Sequence, residues 1–470
     1  MVIKTRSKTL ISFFRIISVI VVVICMIMTM ANSEVKYPYW ILTINYVIFI
    51  YTIKNNIVYK APGIIVLNIV MFIKYVIMPL TFCMSNELLI YAKNYDHMLG
   101  AFIILLYEQI GIFITIYLTG KKEKKKFYNN NSDIIFYDLK YGPIIAIVFI
   151  GLLILLAVKY RYLLGGIGLI TKGALDISNE NIESVSGAVG ILWQASIAWL
   201  YMYINFKIKE RNSKRNTPKI FWVIVTALIY ILITFIGQTS ISRWYTIISF
   251  CAVYFTLLKL YPKKSKEISI IIFVPFFLLM LIVSVFKNTS YLSGGMNFKD
   301  SILEMINPGS LDAYFSGPVS VNNALGLWID TKVNIFSAPI DILNNMPIVN
   351  HWIDNSNGSI NLYNAYIGRL WNGSGDQIIP LVGQSIVYFS PLFAPLLSIL
   401  MVKLVRYFDR RYIKSNTLSI YLYAFAGAWI GVSIILNLTI MMSWVYIRII
   451  PLFLIIKMTE YMGIRRLEKN

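Results

Sequence analysis

The chain has 470 residues, 58% of them hydrophobic and 14% charged, with a net charge of +21. These proportions exclude a soluble globular domain, and apolar runs that are continuous rather than alternating exclude a β-barrel. The cations sit in alternate short connections, the positive-inside pattern of membrane proteins, which accounts for them without a nucleic-acid partner.

A run of ~18 or more apolar residues can cross a ~30 Å hydrocarbon core. Twelve spans are predicted, at Leu10–Ala31, Tyr39–Ile53, Pro62–Met84, Met98–Thr119, Tyr141–Val158, Ser186–Phe206, Ile220–Gly237, Ser242–Leu260, Ile268–Phe286, Ile379–Leu404, Thr417–Asn437 and Met441–Ile456. The fold class is therefore all-α, a polytopic transmembrane bundle of about twelve spans. It divides into spans one to nine (1–286), a large external loop (287–378), and spans ten to twelve with a tail (379–470). Cations cluster at the start (Lys4, Arg6, Lys8) and after the second, fourth, sixth, eighth, tenth and twelfth spans; Lys121, Arg211, Lys263, Arg410 and Arg465 are examples. With twelve spans every cluster faces the cytoplasm, together with both termini of this chain.

In the external loop acids outnumber cations, and aromatic residues recur from Tyr291 to Trp371. Linkers are poor in aromatics, so a folded, partly helical cap on the outer membrane surface is expected. Ser301-Ile302-Leu303-Glu304 has the capping-box pattern of a helix start, and Asn307-Pro308-Gly309 should stop that helix. Further helical turns are expected around Leu311–Phe315 and Asn361–Leu370.

Charges inside spans are costly, roughly 3 kcal/mol for a central Arg or Lys. Lys74 and Glu108 lie mid-span and either pair across neighbouring helices or form part of a proton path. Arg448 either snorkels outward or faces an internal cavity and holds an anion. Arg243 opens the eighth span among hydroxyl and amide residues, where a guanidinium fork and free backbone N–H groups suit a phosphate. It and Arg161 could equally be interfacial anchors. In the loop, Arg369 is the arginine available to an anion, and His351, Asp354 and Asp376 are the candidate proton acceptors. The loop aromatics either form the core of the cap or stack on sugar faces; Tyr314, Trp352, Tyr366 and Trp371 are the candidates for stacking.

Cys25, Cys83 and Cys251 read as packing residues rather than a disulfide framework. No metal-ligand, P-loop or dinucleotide motif is present, so neither a metal nor a cofactor is expected.

The layout resembles the Wzy-type oligosaccharide repeat-unit polymerases of bacterial O-antigen and capsule synthesis. Three stretches carry the resemblance: Ser240-Ile241-Ser242-Arg243, Ala313-Tyr314-Phe315-Ser316-Gly317-Pro318, and Gly383-Gln384-Ser385-Ile386-Val387-Tyr388-Phe389-Ser390-Pro391. Gln384 stands where many members carry an acid. The resemblance implies a metal-independent glycosyltransferase in the bacterial cytoplasmic membrane, acting on undecaprenyl-pyrophosphate-linked oligosaccharides at its outer face. A sugar hydroxyl would attack the anomeric carbon and the lipid pyrophosphate would leave. Arg243 and Arg369, assisted by Arg448 or Arg161, would hold the pyrophosphate, and His351 or a loop carboxylate would take the proton. A chain-length regulator and a flippase are the implied partners. The competing readings are a lipid-linked oligosaccharide flippase and an O-antigen-ligase-like transferase.

Overall fold

A computed structural model describes residues 2–31, 37–52, 61–84, 93–127, 137–160, 187–213, 220–236, 243–291, 307–331, 334–346, 349–371, 374–375, 377–462 and 464–466. In chain order the longer helices are α1 (Val2–Ala31), α2 (Trp40–Thr52), α3 (Pro62–Met84), α4 (Met98–Phe127), α5 (Gly142–Lys159), α6 (Gly187–Ser213), α7 (Phe221–Ile236), α8 (Arg243–Leu260) and α9 (Ser265–Tyr291). The shorter helices of the 287–378 segment follow as α10 (Pro308–Phe315), α11 (Pro318–Thr331), α12 (Ser337–Leu343) and α13 (Ser359–Tyr366). The chain closes with α14 (Leu381–Phe389), α15 (Leu396–Lys414), α16 (Ser419–Val432) and α17 (Leu438–Tyr461). The described strands are fragments. β1 (Tyr137–Leu139) pairs antiparallel with β4 (Ile464–Arg466), and β2 (Leu370–Trp371) with β3 (Ser374–Gly375).

The molecule is thus all-helical, and each of the twelve apolar runs lies largely in helix. Among the described residues, six helices are long and apolar enough to cross a membrane: Ser12–Ala31, Pro62–Met84, Met98–Gly120, Gly142–Lys159, Pro391–Lys414 and Leu438–Tyr461. A seventh results if Trp244–Leu260 and Pro262–Leu278, whose axes turn by 113°, form one broken span.

Two of these helices are interrupted by a π-turn, and each π-turn holds a charged residue. In α3 the turn is Ile73–Ile77 and contains Lys74; in α17 it is Val445–Ile449 and contains Arg448. Proline explains both. Pro79 and Pro451 have no N–H to give the carbonyl four residues back, so the regular ladder fails just before them. In α3 the carbonyl released, that of Tyr75, accepts instead from the Thr43 hydroxyl at 3.0 Å.

The tightest packing joins α3 to α16. A Cβ on Gly63 would lie 2.7 Å from the Gly427 carbonyl oxygen, and one on Gly431 the same distance from the Gly63 oxygen. Small residues let the two backbones touch, as in many membrane helix pairs. Asp409 of α15 closes this corner by accepting from the Gly63 and Ile64 amides at 2.8 and 2.9 Å, so it satisfies the otherwise free N–H groups of α3.

Three expectations are corrected. Asn307-Pro308-Gly309 starts a helix rather than stopping one. The Asn307 side chain accepts from the Gly309 amide at 2.7 Å and Pro308 occupies the first turn, which is where both residue types favour a start. The capping-box stretch at 301–304 lies outside the described residues.

Secondly, the cap expected over residues 287–378 is not a separate layer, because one of its helices is packed inside the bundle. Helix α11 is buried on all sides from Pro318 to Leu327 and packs against α4 and α14. Its Asn322 accepts from the His97 amide at 3.0 Å and donates to the Asn94 carbonyl at 2.7 Å, fixing it to the start of α4.

Thirdly, the tenth span is not one helix from Ile379 to Leu404. It breaks at Ser390, whose φ of 91° is strained for a residue with a side chain, and the spanning helix begins at Pro391. Helix α14 before the break is apolar because protein buries it, a condition that reads in sequence like burial by lipid.

Candidate functional site

Arg448 follows Leu438 by ten positions, about 15 Å along the axis at ~1.5 Å per residue, so it lies close to the middle of a ~30 Å core. It does not reach the lipid boundary. Its guanidinium lies over the Tyr245 ring, 4.5 Å from the centroid, and helps line a partly open cavity. Tyr230, Tyr245, Tyr421, Phe425 and Gln194 also line it.

The polar groups of this cavity fall into two sets. The Tyr230 and Tyr421 hydroxyls satisfy each other at 2.5 Å. Arg448 Nη1 and Gln194 Oε1 are both buried and have no hydrogen-bond partner among the described residues. Arg448 has no carboxylate partner there either. A charged residue inside a membrane that lacks a counter-ion is the usual mark of a ligand or ion site, because hydrocarbon makes it costly otherwise.

Lys74 shows the alternative. Its Nζ lies 2.7 Å from Glu108, both side chains are fully buried, and Glu108 also accepts from Tyr75 at 3.0 Å and Ser398 at 2.6 Å. The pair is satisfied within the protein and holds α3, α4 and α15 in register.

The loop is fastened to the start of α17, the helix that carries Arg448. Gln384 of α14 accepts from the Leu438 amide at 2.5 Å, Asn345 donates to the Thr439 carbonyl at 3.1 Å, and Ser316 donates to the Ile435 carbonyl at 2.9 Å. Behind Gln384 lies a buried carboxylate, Asp341. It accepts from the Ser359 amide at 3.2 Å, from Gln384 Nε2 at 3.4 Å and from the Tyr388 hydroxyl. Burial pushes its carboxyl above the usual range, although the bonds from Ser359 and Tyr388 oppose this.

The candidate residues divide as follows. The Arg243 backbone opens α8, two residues before Tyr245, which puts it beside the cavity wall; its side chain lies outside the described residues. Neighbouring Trp244 meets Phe315 edge-on at 5.9 Å, which brings the start of α8 to the Ala313–Pro318 stretch. Arg161 and Asp376 lie outside the described residues, as does the Trp371 side chain.

Arg369 is half-buried beyond the left-handed Gly368 (φ 71°), where its amide donates to the Asn364 carbonyl at 2.8 Å. It does not line the cavity. Tyr366 sits 3.8 Å below the Lys93 ammonium, half-buried against the core. Tyr314 is exposed, and Trp352 is 79% exposed and so is no part of a core. His351 is exposed in a short 3₁₀ turn. Asp354 accepts from the Ser356 amide and hydroxyl in a local turn, at 2.9 and 2.8 Å, and these bonds hold its carboxyl below the usual range. Neither His351 nor Asp354 lines the cavity.

Sequence reasoning missed Gln194, Tyr230, Tyr421 and Asp341. A signal for Gln194 existed: it is an amide well inside an expected span, where only charges had been sought. Asp341 gave none, since a loop acid looks the same whether it is exposed or caps a helix.

No protein-family model matches the chain, and neither does any curated protein or solved structure.

Proposed function

We propose that the chain is a membrane glycosyltransferase that joins undecaprenyl-pyrophosphate-linked repeat units into a surface polysaccharide at the outer face of the bacterial cytoplasmic membrane. In this reading it has twelve spans and both termini of this chain are cytoplasmic. The observation that supports it most is the uncompensated Arg448 guanidinium in an aromatic cavity beside the start of α8, which Arg243 opens. A leaving pyrophosphate needs fixed positive charge in a water-poor site, and electrostatic stabilisation of this kind is commonly the largest catalytic contribution. Guanidinium groups supply it without a metal.

Wild type, Arg448→Ala, Arg243→Ala and Arg369→Ala would be compared at matched membrane levels in a host that makes and flips the repeat unit. The glycans would be separated on a gel. A wild-type ladder that collapses to one repeat unit in Arg448→Ala supports the polymerase and its site. A ladder unchanged by all three substitutions keeps the polymerase and rejects the site.

A second reading, a flippase, draws on the depth of the cavity, since transporters bind their cargo near the bilayer midplane. Repeat units trapped on the cytoplasmic face when the gene is absent, with no ladder when it is present, would favour it.

A further inference from the structure

The chain has three cysteines, and two of them meet. Helix α1 is buried along one stripe, Phe14, Ser18, Val21 and Cys25, whose spacing of four, three and four is that of a single helix face. The stripe lies against α3. Phe14 stacks on Phe72 with ring centroids 4.5 Å apart. About three turns further along each helix stand Cys25 and Cys83, and their thiols are in hydrogen-bonding contact. The two contacts together make the helices parallel, and the end of α3 from Met78 to Met84 packs on α1. Thr29 closes the group. Its hydroxyl donates to the Cys25 carbonyl at 2.6 Å and reaches the Cys83 sulfur.

Both sulfurs are free thiols and fully buried. Packing alone does not require two thiols face to face, since any small apolar residue would fill either position. Their place matters too. Cys83 lies five residues beyond Met78, whose sulfur would stand 2.6 Å from a Cβ on Gly317, so the pair sits near the point where the α10–α11 turn docks on α3. The first half of α1 is held differently, by the Arg15 guanidinium donating to the Ile50 carbonyl at 3.1 and 2.9 Å.

We propose that Cys25 and Cys83 form a disulfide that ties the outer half of α1 to α3 in the cell. The proposal takes from the reading above only its orientation, which turns this end of both helices toward the oxidising outer compartment. The oxidant is a disulfide-bearing thiol oxidant of that compartment. The Cys83 thiolate attacks one of its sulfurs and expels a thiolate. The Cys25 thiolate then attacks the Cys83 sulfur of the mixed disulfide and expels the second. One S–S bond forms in the chain and one breaks in the oxidant, whose two thiols take both protons. Burial of both sulfurs places this exchange before α1 and α3 finish packing, and afterwards shields the bond.

The test is made on cells producing the full chain. They are quenched with acid, and the membranes are dissolved in SDS with a polyethylene-glycol maleimide, before and after reduction. Wild type should gain one addition before reduction, at Cys251, and three after it. Cys25→Ser and Cys83→Ser should each gain two under both conditions. Heating purified wild type with a phosphine reductant should lower its unfolding midpoint by roughly 5 °C, the scale of a bond that closes a loop of several tens of residues, and should leave Cys25→Ser unchanged.

Three additions to wild type before reduction overturn the proposal, as does protection that persists in Cys25→Ser. Trp352→Cys in a cysteine-free background separates the causes. Labelled from the outer face, it keeps the orientation and the failure is that of the cross-link alone; labelled from the inner face, both fall. A cross-linked protein that makes no glycan ladder keeps this inference and rejects the polymerase.

Discussion

Lys74 and Arg448 are both cations in π-turns deep in membrane-length helices, yet their surroundings give them opposite consequences. Removing one partner of a buried ion pair leaves the other charge stranded, at a cost of about 3–5 kcal/mol. Lys74→Met should therefore lower the unfolding midpoint strongly. Adding Glu108→Gln should recover most of the loss, because the Gln carbonyl still accepts from one of the Tyr75 and Ser398 hydroxyls and its NH2 can donate to the other. Thermal unfolding of both variants in detergent checks this; equal loss in single and double variants would count against a structural pair. Arg448 has no such partner, and a buried donor without one costs about 1–3 kcal/mol. Arg448→Leu should raise the midpoint while abolishing activity, the trade-off seen where a site is kept for function. A lowered midpoint would mean that the stacking on Tyr245 is worth more than the free donor costs. Both residues were legible as intramembrane charges. Which one is paired is not, because pairing depends on how α3 and α4 face each other, and that sets where Glu108 lies relative to Lys74.

Between elements, contact distances decide which glycines matter. A Cβ at Gly63 meets backbone oxygen that cannot move aside, whereas one at Gly151 in α5 meets nothing within 4 Å. Gly63→Ala should destabilise by about 1–3 kcal/mol, the usual range for overpacking. Gly151→Ala should be neutral or stabilise by up to ~1 kcal/mol through helix propensity. Chemical denaturation of the two variants side by side measures the contrast. The Asp341 junction of α12, α13 and α14 should show in pH dependence. Its carboxyl is raised in the folded state, so the fold binds the proton more tightly than the unfolded chain does. Its contribution is therefore full below the ordinary carboxylate value, ~3.9, and is lost as pH rises through the higher folded value. Asp341→Asn should flatten the stability profile over that interval, and an unaltered slope would assign it to other groups. Helix positions could be read from apolar runs alone. The break at Ser390 could not, and neither could the burial of α14, because hydropathy does not distinguish a protein interior from lipid.

Across the whole molecule, two sets of contacts between distant parts of the chain stand apart. Lys259 of α8 donates to the carbonyls of Tyr412, Ile413 and Ser415 at the end of α15, and β1 joins β4 near the end of the chain. The loop helices, by contrast, meet the 93–97 segment and the start of α17. Single cysteines placed at Lys263 and at Trp352 in a cysteine-free background should react with an impermeant maleimide from opposite faces of sealed vesicles. Labelling from the same face would require an even number of crossings between them.

The Asp409 cap on α3 also imposes a schedule. The amides of Gly63 and Ile64 leave the ribosome 346 and 345 residues before the carboxylate that satisfies them. At ~5–20 residues per second that is a wait of roughly 20 to 70 seconds, during which the first half of the protein sits in the bilayer with an unfinished corner. A nascent chain stalled or truncated before Asp409 would carry that corner indefinitely. It should be a preferred substrate for membrane proteases, whereas a chain extended past α16 should resist them.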